Sequence, residues 1–399
     1  MPHCVPRTTK GGTMIGQGSF GCVFKPSIPC SNKAQSQGSD NVSKIFFGSD
    51  SKKEAKEELD IDKKVRMIKG FESWSHVWLK KCNPPSYKDI SKHEKDIKKC
   101  LESSDIDVSD FNKTKQMLKG TDAGHTFESV MEHLFTKSVF SNKKKFVKNF
   151  LHVVKLMKPL FLGIQEMYKN NLSHNDIKED NVMVDEDGLK FIDFGLAAQW
   201  SNRKFYQERS QSEFFWERVY PPYPYEFFYM YADPNDLLDE RDELLHKIYR
   251  KYNDRYIDLH SKVFQRKKIP EYLVNLIDSF IQAKGKFKDK KKVISLIDTY
   301  SLGALFPGLL VKRANKYKKI KNFTKFINEP TVSSYIDLFK HMTEPDYHNR
   351  MHPIEANKRY LELEQLYLSK PSAKQECKPT KKSVKKTKRI KRIKRTKRK

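Results

Sequence analysis

Along the first third of the chain apolar residues fall mostly in short runs broken by glycine and polar residues, and through most of the remainder they recur every three or four positions. Thr13–Lys25 reads as two strands around a glycine turn, and Asn41–Phe47 predicts a third. Between them Pro26–Asp40, rich in Ser, Gly and Asn, predicts a loop. Lys52–Lys69 is highly charged but places Ile61, Val65 and Ile68 at helical spacing, which predicts an amphipathic helix. Ser73–Leu79 predicts a further strand, Cys82–Asn112 is polar and poorly patterned, and Thr114–Lys119 predicts a short strand ending at Gly120. Phe127–Phe135 and Phe146–Lys169 then show helical periodicity, and Leu172 leads into a polar loop. Pro234–Ile281 predicts charged helices, Val293–Leu310 a buried apolar element, and Thr331–His341 and Pro353–Leu368 two more helices. Strands first and helices afterwards imply an α+β chain in two lobes, a small β-rich one and a larger helical one.

Composition sharpens this picture. With 399 residues, 37% hydrophobic and 12% aromatic, the chain can bury an ample core. Cys4, Cys22, Cys30, Cys82, Cys100 and Cys377 are scattered, without a CxxC pair or a histidine at ligand spacing. That pattern predicts neither a disulfide framework nor a zinc site, and it suits a reducing compartment. The N-terminus lacks the layout of a signal peptide, and Tyr300–Val311 is about half the ~20 apolar residues of a membrane span. The expectation is a soluble, intracellular protein with no membrane association.

Charge is unevenly placed. Of the net +28, Lys370–Lys399 contributes +15, with 16 Lys/Arg against the single acid Glu376, which leaves +13 on the first 369 residues. Lys378–Lys399 is nearly free of apolar residues, so residues 369–399 are expected to be disordered. This tail could be a solvated end, a nuclear-import address or a nucleic-acid attachment. Without aromatics to stack on bases, any such binding would be blind to sequence.

The densest chemistry lies at 174–195. Asp176, Lys178 and Asn181 share one short loop, and a turn and a β-like run then deliver Asp193 ahead of Phe194 and Gly195. A base, a cation, an amide and a second carboxylate joined by a hairpin can hold a metal-nucleotide against a hydroxyl. Upstream, Ile15-Gly16-Gln17-Gly18-Ser19-Phe20-Gly21-Cys22-Val23 carries three glycines whose N–H groups can approach phosphates without a Cβ in the way. The run is flanked by strand residues and opens no helix, which favours a phosphate-covering flap over a dinucleotide site. Lys44 stands among the apolar residues of the next strand.

Taken together these segments resemble the eukaryotic-type protein kinases, from about residue 10 to about 368. The resemblance implies a two-lobed kinase fold with an N-lobe at about 10–118, a C-lobe at about 119–368 and a helical insertion at about 227–292. It implies Mg2+ and ATP as cofactors and a protein as substrate. Ile15 to Val23 would cover the nucleotide, and Lys44 would pair with its phosphates. The carboxylate partner of Lys44 is expected to be Glu58, with Glu57 the alternative. Asp176 would orient the nucleophile, Lys178 would neutralise the transferring phosphoryl, and Asn181 and Asp193 would ligate magnesium. Lys178 is the residue usual in serine/threonine kinases. Asp298-Thr299-Tyr300-Ser301-Leu302-Gly303 resembles the buried helix start that anchors the catalytic loop. Arg350, in Asp346-Tyr347-His348-Asn349-Arg350, would pair with Glu226 at the end of the activation segment. The hinge is expected at Met117–Gly120 or at Met131–His133. Asn175 departs from the family, whose regulated members carry arginine there to receive an activating phosphate. The diverged motifs and insertions are most similar to kinases of large nucleocytoplasmic DNA viruses, which would place the protein in host cytoplasm or nucleus, or in the virion. A silent kinase-fold scaffold with a basic tail is the alternative reading, and a small-molecule phosphotransferase a third. The oligomeric state is left open.

Overall fold

The computed structural model describes residues 13–18, 21–31, 41–48, 50–86, 94–103, 116–211, 223–228, 230–231, 233, 235, 241–243, 258–266, 269–282 and 289–368. The tail at 369–399 and most of the stretch at 232–257 lie outside them. The small lobe is an antiparallel sheet in the order β1-β2-β3-β5-β4, built from β1 Thr13–Gly18, β2 Gly21–Lys25, β3 Asn41–Phe46, β4 Lys80–Cys82 and β5 Gln116–Thr121. Helix α1, Ser51–Arg66, packs on one face against Phe46 and Leu118. Helix α2, Glu94–Ser103, covers the other face with Ile97, Cys100 and Leu101, against Cys22, Phe24, Ile45 and Met117.

Three expectations need correction here. The stretch Ser73–Leu79 is not a strand: a 3-10 turn spans Phe71–Ser73, and only Ser75 pairs, with Phe191. The poorly patterned Cys82–Asn112 holds α2, whose buried stripe is just one turn of apolar residues and too short to show as periodicity. The four cysteines among the described residues are paired, Cys22 with Cys100 and Cys30 with Cys82, at Cα separations of 6.2 and 5.9 Å. Partners 78 and 52 residues apart leave no local spacing to read, because the sheet and α2 create the proximity.

The chain leaves the sheet through Asp122–Gly124, where Gly124 has φ +88° and a Cβ would overlap the Val184 carbonyl. The crossing thus lies past Met117–Gly120, whose residues are held in the β3–β5 ladder, and Met131–His133 sits inside helix α3, Phe127–Leu134. Beyond it come β6 His125–Thr126, α4 Lys143–Leu156, α5 Lys158–Lys169, β7 Leu172–Ser173, β8 Val182–Val184, β9 Leu189–Phe191, β10 Ala198–Gln199 and α6 Arg203–Gln211. The described C-terminal helices are α7 Ile269–Gln282, α8 Lys290–Ser295, α9 Ile297–Lys316, α10 Ile320–Phe326, α11 Pro330–Met342 and α12 Pro353–Tyr367.

Helix α9 is the axle of this lobe. Its Phe306 ring meets Phe127, Phe135, Phe150 and Phe339 at centroid distances of 5.1–6.3 Å, so four elements converge on one aromatic cluster. The run Lys290–Lys316 contains an 18-residue window of mean hydropathy 1.5, long and apolar enough to cross a membrane by composition, which corrects the shorter span read from Tyr300–Val311. Its most apolar window is wholly enclosed by protein, so a core helix accounts for it.

Candidate active site

The polar loop predicted to carry the chemistry begins where β7 ends, and one buried carboxylate shapes it. Asp298, near the start of α9, accepts the His174 N–H at 2.6 Å and the Asn175 N–H at 3.0 Å. Burial pushes the Asp298 carboxyl up, and the two amide bonds and His174 only partly oppose that. The His174 Nδ1 accepts the Asp176 N–H at 3.3 Å, so its Nε2 carries the proton and donates to the Ile192 carbonyl at 3.1 Å. One imidazole therefore joins the loop to the strand that delivers Asp193. Asn175 takes φ +59°, a left-handed conformation that asparagine tolerates better than most residues.

Past this anchor the loop gathers three predicted residues. Lys178 Nζ donates to Asp176 Oδ2 at 3.0 Å, and Asn181 Nδ2 donates to the same oxygen at 2.6 Å and to the Asp176 carbonyl at 3.0 Å. The Asn181 amide nitrogen is thus committed to Asp176, which turns its carbonyl oxygen the other way. The turn after β8 is closed by Asp185 Oδ1, which accepts from Asp187 and Gly188. Beyond β9, Asp193 adopts φ +59° and accepts the Gly195 N–H at 3.3 Å. Burial raises its carboxyl, but Lys44, the Gly195 amide, His174 and Lys178 together outweigh burial and hold it below the ordinary value.

The small lobe contributes Lys44. Its ammonium donates to Glu58 at 2.8 and 3.0 Å and lies 3.8 Å from Asp193, while Glu57 is exposed on the same helix. Two residues that the sequence reading passed over complete this cluster. The Trp78 indole N–H donates to Glu58 Oε1 at 2.6 Å, and the Trp78 backbone N–H donates to Asp62 Oδ2 at 2.6 Å. One residue therefore clamps both carboxylates, a helical turn apart, on α1. Burial penalises the Lys44 charge, yet Glu58, Asp193 and Asp62 more than compensate and its pKa is raised. Asp62 is raised well above the ordinary carboxylate range, by burial first and by Glu58 next. The chain between α1 and β4 is also stitched to β9, with His76 N–H on the Phe191 carbonyl at 2.9 Å and Phe191 N–H on the Trp74 carbonyl at 3.0 Å.

The glycine-rich run forms the β1–β2 hairpin, with Gly18 opposite Gly21, Gln17 opposite Cys22 and Gly16 opposite Val23. A Cβ on Gly21 would lie 2.0 Å from the Ile45 carbonyl oxygen, so the two strands meet this closely only because the side chain is absent. Ile15 is 46% exposed beside the irregularity that follows Met14. Ser19 and Phe20 lie outside the described residues. Cys22 does not share the face of Lys44. It is buried with Phe24, Ile45 and Met117 and bonded to Cys100, because side chains alternate along a strand.

Asn175 is wrapped by the following segment. Its amide nitrogen donates to the Leu196 carbonyl at 3.1 Å and to the Tyr206 hydroxyl at 3.3 Å. Tyr206 donates to the Ala198 carbonyl at 3.1 Å, and Tyr223 donates to the Asn175 carbonyl while accepting from Arg209 Nε at 2.6 Å. Both tyrosines are fully buried, and burial pushes both hydroxyls well above their ordinary pKa. A little further on, Arg350 and Glu226 form a completely buried ion pair at 2.5 Å. Arg350 also donates to the Glu344 and Pro345 carbonyls, which leaves its guanidinium well satisfied.

This architecture is the α+β, two-lobed protein-kinase fold, and the sequence agrees. Residues 120–217 match the family model described as protein kinase domain. Curated relatives match over short stretches. Cyclin-dependent kinase 9-A of Xenopus laevis is 35% identical over 91 residues, covering 23% of this chain and 21% of that protein. CTD kinase subunit alpha of Saccharomyces cerevisiae is 40% identical over 55 residues, 14% of this chain and 10% of that protein. Serine/threonine-protein kinase shk2 of Schizosaccharomyces pombe is 50% identical over 42 residues, 10% of this chain and 7% of that protein. The chain thus spans about a fifth or less of the length of these relatives.

Proposed function

We propose that the protein is an active serine/threonine protein kinase that transfers the γ-phosphoryl group of Mg-ATP to a protein hydroxyl. The observation that carries this reading is the assembled state of the cleft: the Lys44–Glu58 pair is formed, Asp193 lies 3.8 Å from Lys44, and Asp176, Lys178 and Asn181 hold one another. Asp176 would accept the hydrogen bond of the incoming hydroxyl and orient it, while Lys178 offsets charge on the moving phosphoryl. The Asn181 amide oxygen and the Asp193 carboxylate are hard oxygen donors, which suit magnesium, an ion that takes few protein ligands and keeps waters and phosphates. Bound magnesium would neutralise charge on the phosphates. Lys44, held by Glu58, would position them, with Ile15, Gly16, Gly18, Gly21 and Val23 of the hairpin above. Retention of Lys44, Asp176 and Asp193 weighs against a silent scaffold.

The test is phosphoryl transfer from radiolabelled ATP to a panel of basic, acidic and neutral proteins. Asp176→Asn is expected to lower turnover by about a thousandfold or more while leaving nucleotide affinity within about threefold. Wild-type turnover in that variant would overturn the assignment.

The Asn175 site supports a second element of the proposal. The hydroxyls of Tyr206 and Tyr223 bond the Asn175 amide nitrogen and backbone carbonyl at the position where regulated kinases carry arginine, so activity should survive phosphatase treatment of the purified protein. Loss of activity after that treatment would reject it. The viral affinity expected from the insertions, an intracellular site of action and sequence-blind nucleic-acid contact by Lys370–Lys399 stand as parts of the same proposal.

A further inference from the structure

The positive charge of the first 369 residues is concentrated on two segments. Residues 134–165 contain seven lysines and no acid, and residues 312–328 contain seven Lys/Arg and no acid. The remaining residues up to 369 hold 48 Lys/Arg and 49 Asp/Glu, so these two stretches account for essentially the whole +13 of the body. They are distant in sequence but adjacent in space. The Phe146 ring on α4 meets Phe323 and Phe326 on α10 at 5.9 and 5.5 Å, Phe140 meets Phe323 at 6.2 Å, and Asn322 Nδ2 donates to the Phe140 carbonyl at 3.0 Å.

The lysines crown this aromatic seam. Lys143, Lys144, Lys145 and Lys148 are exposed on α4, and Lys321 and Lys325 are exposed on α10. None of these six has an ion-pair partner among the described residues, in contrast to neighbouring Arg313 and Lys316, which share Glu132. Like charges crowded together repel, and nothing in the fold requires them here, because the packing is done by buried phenylalanines.

We propose that this α4–α10 face is a second, folded binding surface for the phosphodiester backbone of nucleic acid, distinct from the tail and from the cleft. Three features select this partner. Lysine point charges without interleaved aromatics suit counter-ion release from a regularly charged backbone rather than base reading. The large exposed apolar side chains among the described residues are Ile15, Met67, Leu79, Ile354, Leu361 and Leu366, and none is on this face. A protein docking site would need aromatic or aliphatic anchors, and its core would be depleted in lysine. A membrane-surface site would need an apolar face to insert.

The experiment measures binding of the full chain to a fluorescein-labelled 30-bp duplex of random sequence across a salt series. Replacing Lys144, Lys145, Lys321 and Lys325 together with glutamine is expected to weaken binding at least about tenfold at low salt and to reduce the log–log salt slope by about 3. The same loss of charge from Lys52, Lys53, Lys56 and Lys64, exposed on α1, is expected to leave the slope nearly unchanged. Acetylation footprinting should show Lys144 and Lys321 protected by the duplex and Lys52 unprotected, a reading independent of affinity and of folding in the variants. An unchanged slope in the first variant, an equal loss in the second, or unprotected Lys144 and Lys321 would overturn the proposal. So would equal binding, through the same four lysines, to phosphatidylserine vesicles or to polyglutamate. None of these outcomes depends on kinase activity.

Discussion

The two lobes treat buried charge in opposite ways. Around Asp298 a single carboxylate is met by two backbone N–H groups, and the loop it holds is fixed through its main chain. Around Lys44 the Glu58 and Asp193 carboxylates meet one ammonium, and Asp62 lies a helical turn from Glu58, bonded to the Trp78 N–H. The first arrangement is saturated and its carboxylate is irreplaceable. In the second, burial and the neighbouring Glu58 push the Asp62 carboxyl well above its ordinary range, so removing that carboxylate relieves the cluster. The same residue type is therefore a keystone in one lobe and a burden in the other.

Substitutions can break this contrast. The largest effect is expected from Asp298→Asn, which puts an N–H donor where the loop needs an acceptor. Leaving a buried backbone N–H unpaired should cost about 2–3 kcal/mol in chemical denaturation and lower turnover sharply. A variant of wild-type stability would end the distinction between the two sites. Next comes Trp78→Phe, which keeps most of the ring and removes the donor to Glu58. Turnover should fall about tenfold, in keeping with a hydrogen bond to a charged group. Because Trp78 would act through Glu58, the penalty should vanish in a Glu58→Gln background, whereas additive losses would reduce Trp78 to a packing residue.

The smallest effect has the opposite sign. Asp62→Asn retains an acceptor for the Trp78 N–H and removes a carboxylate that has one oxygen without a partner. It should stabilise the fold by about 1 kcal/mol at neutral pH. Because the folded pKa of Asp62 is raised, its contribution is fully present below the ordinary value of 3.8 and is lost as pH rises through the folded value. The advantage of the asparagine variant should therefore be absent near pH 3.8 and grow upward from it, as read by thermal unfolding at several pH values. A destabilised asparagine variant would place Asp62 in the same class as Asp298.

How legible these features were follows from how local they are. The chemistry of 174–195 is contiguous, and each residue sits at a fixed offset on one loop and hairpin, so it could be read directly. Helix α1 was harder. Its buried stripe is Ser51, Ala55, Glu58, Asp62 and Val65, a regular helical spacing that includes two acids. A search for apolar periodicity instead selects Ile61, Val65 and Ile68, and Ile61 is only half-buried. Acids at core positions of an amphipathic helix were the available signal, since local rules are most often broken at functional sites. Trp78 gave no such sign, because its role depends on the loop from α1 turning back over the helix. The cysteine pairs and the α4–α10 lysine face likewise arise from tertiary approach across dozens of residues or more.

Helix α9 carries a consequence for how the protein is made. It packs against α3, which precedes it, but also against α11 and α12, which follow it. While the ribosome is still adding those later helices, the most apolar run in the described chain has only part of its covering. A nascent chain that stalls before Tyr367 would present a segment long and greasy enough to be mistaken for a bilayer anchor. Closure of the large lobe therefore waits for α11 and α12, and these two helices serve the biosynthesis of this protein as much as its architecture.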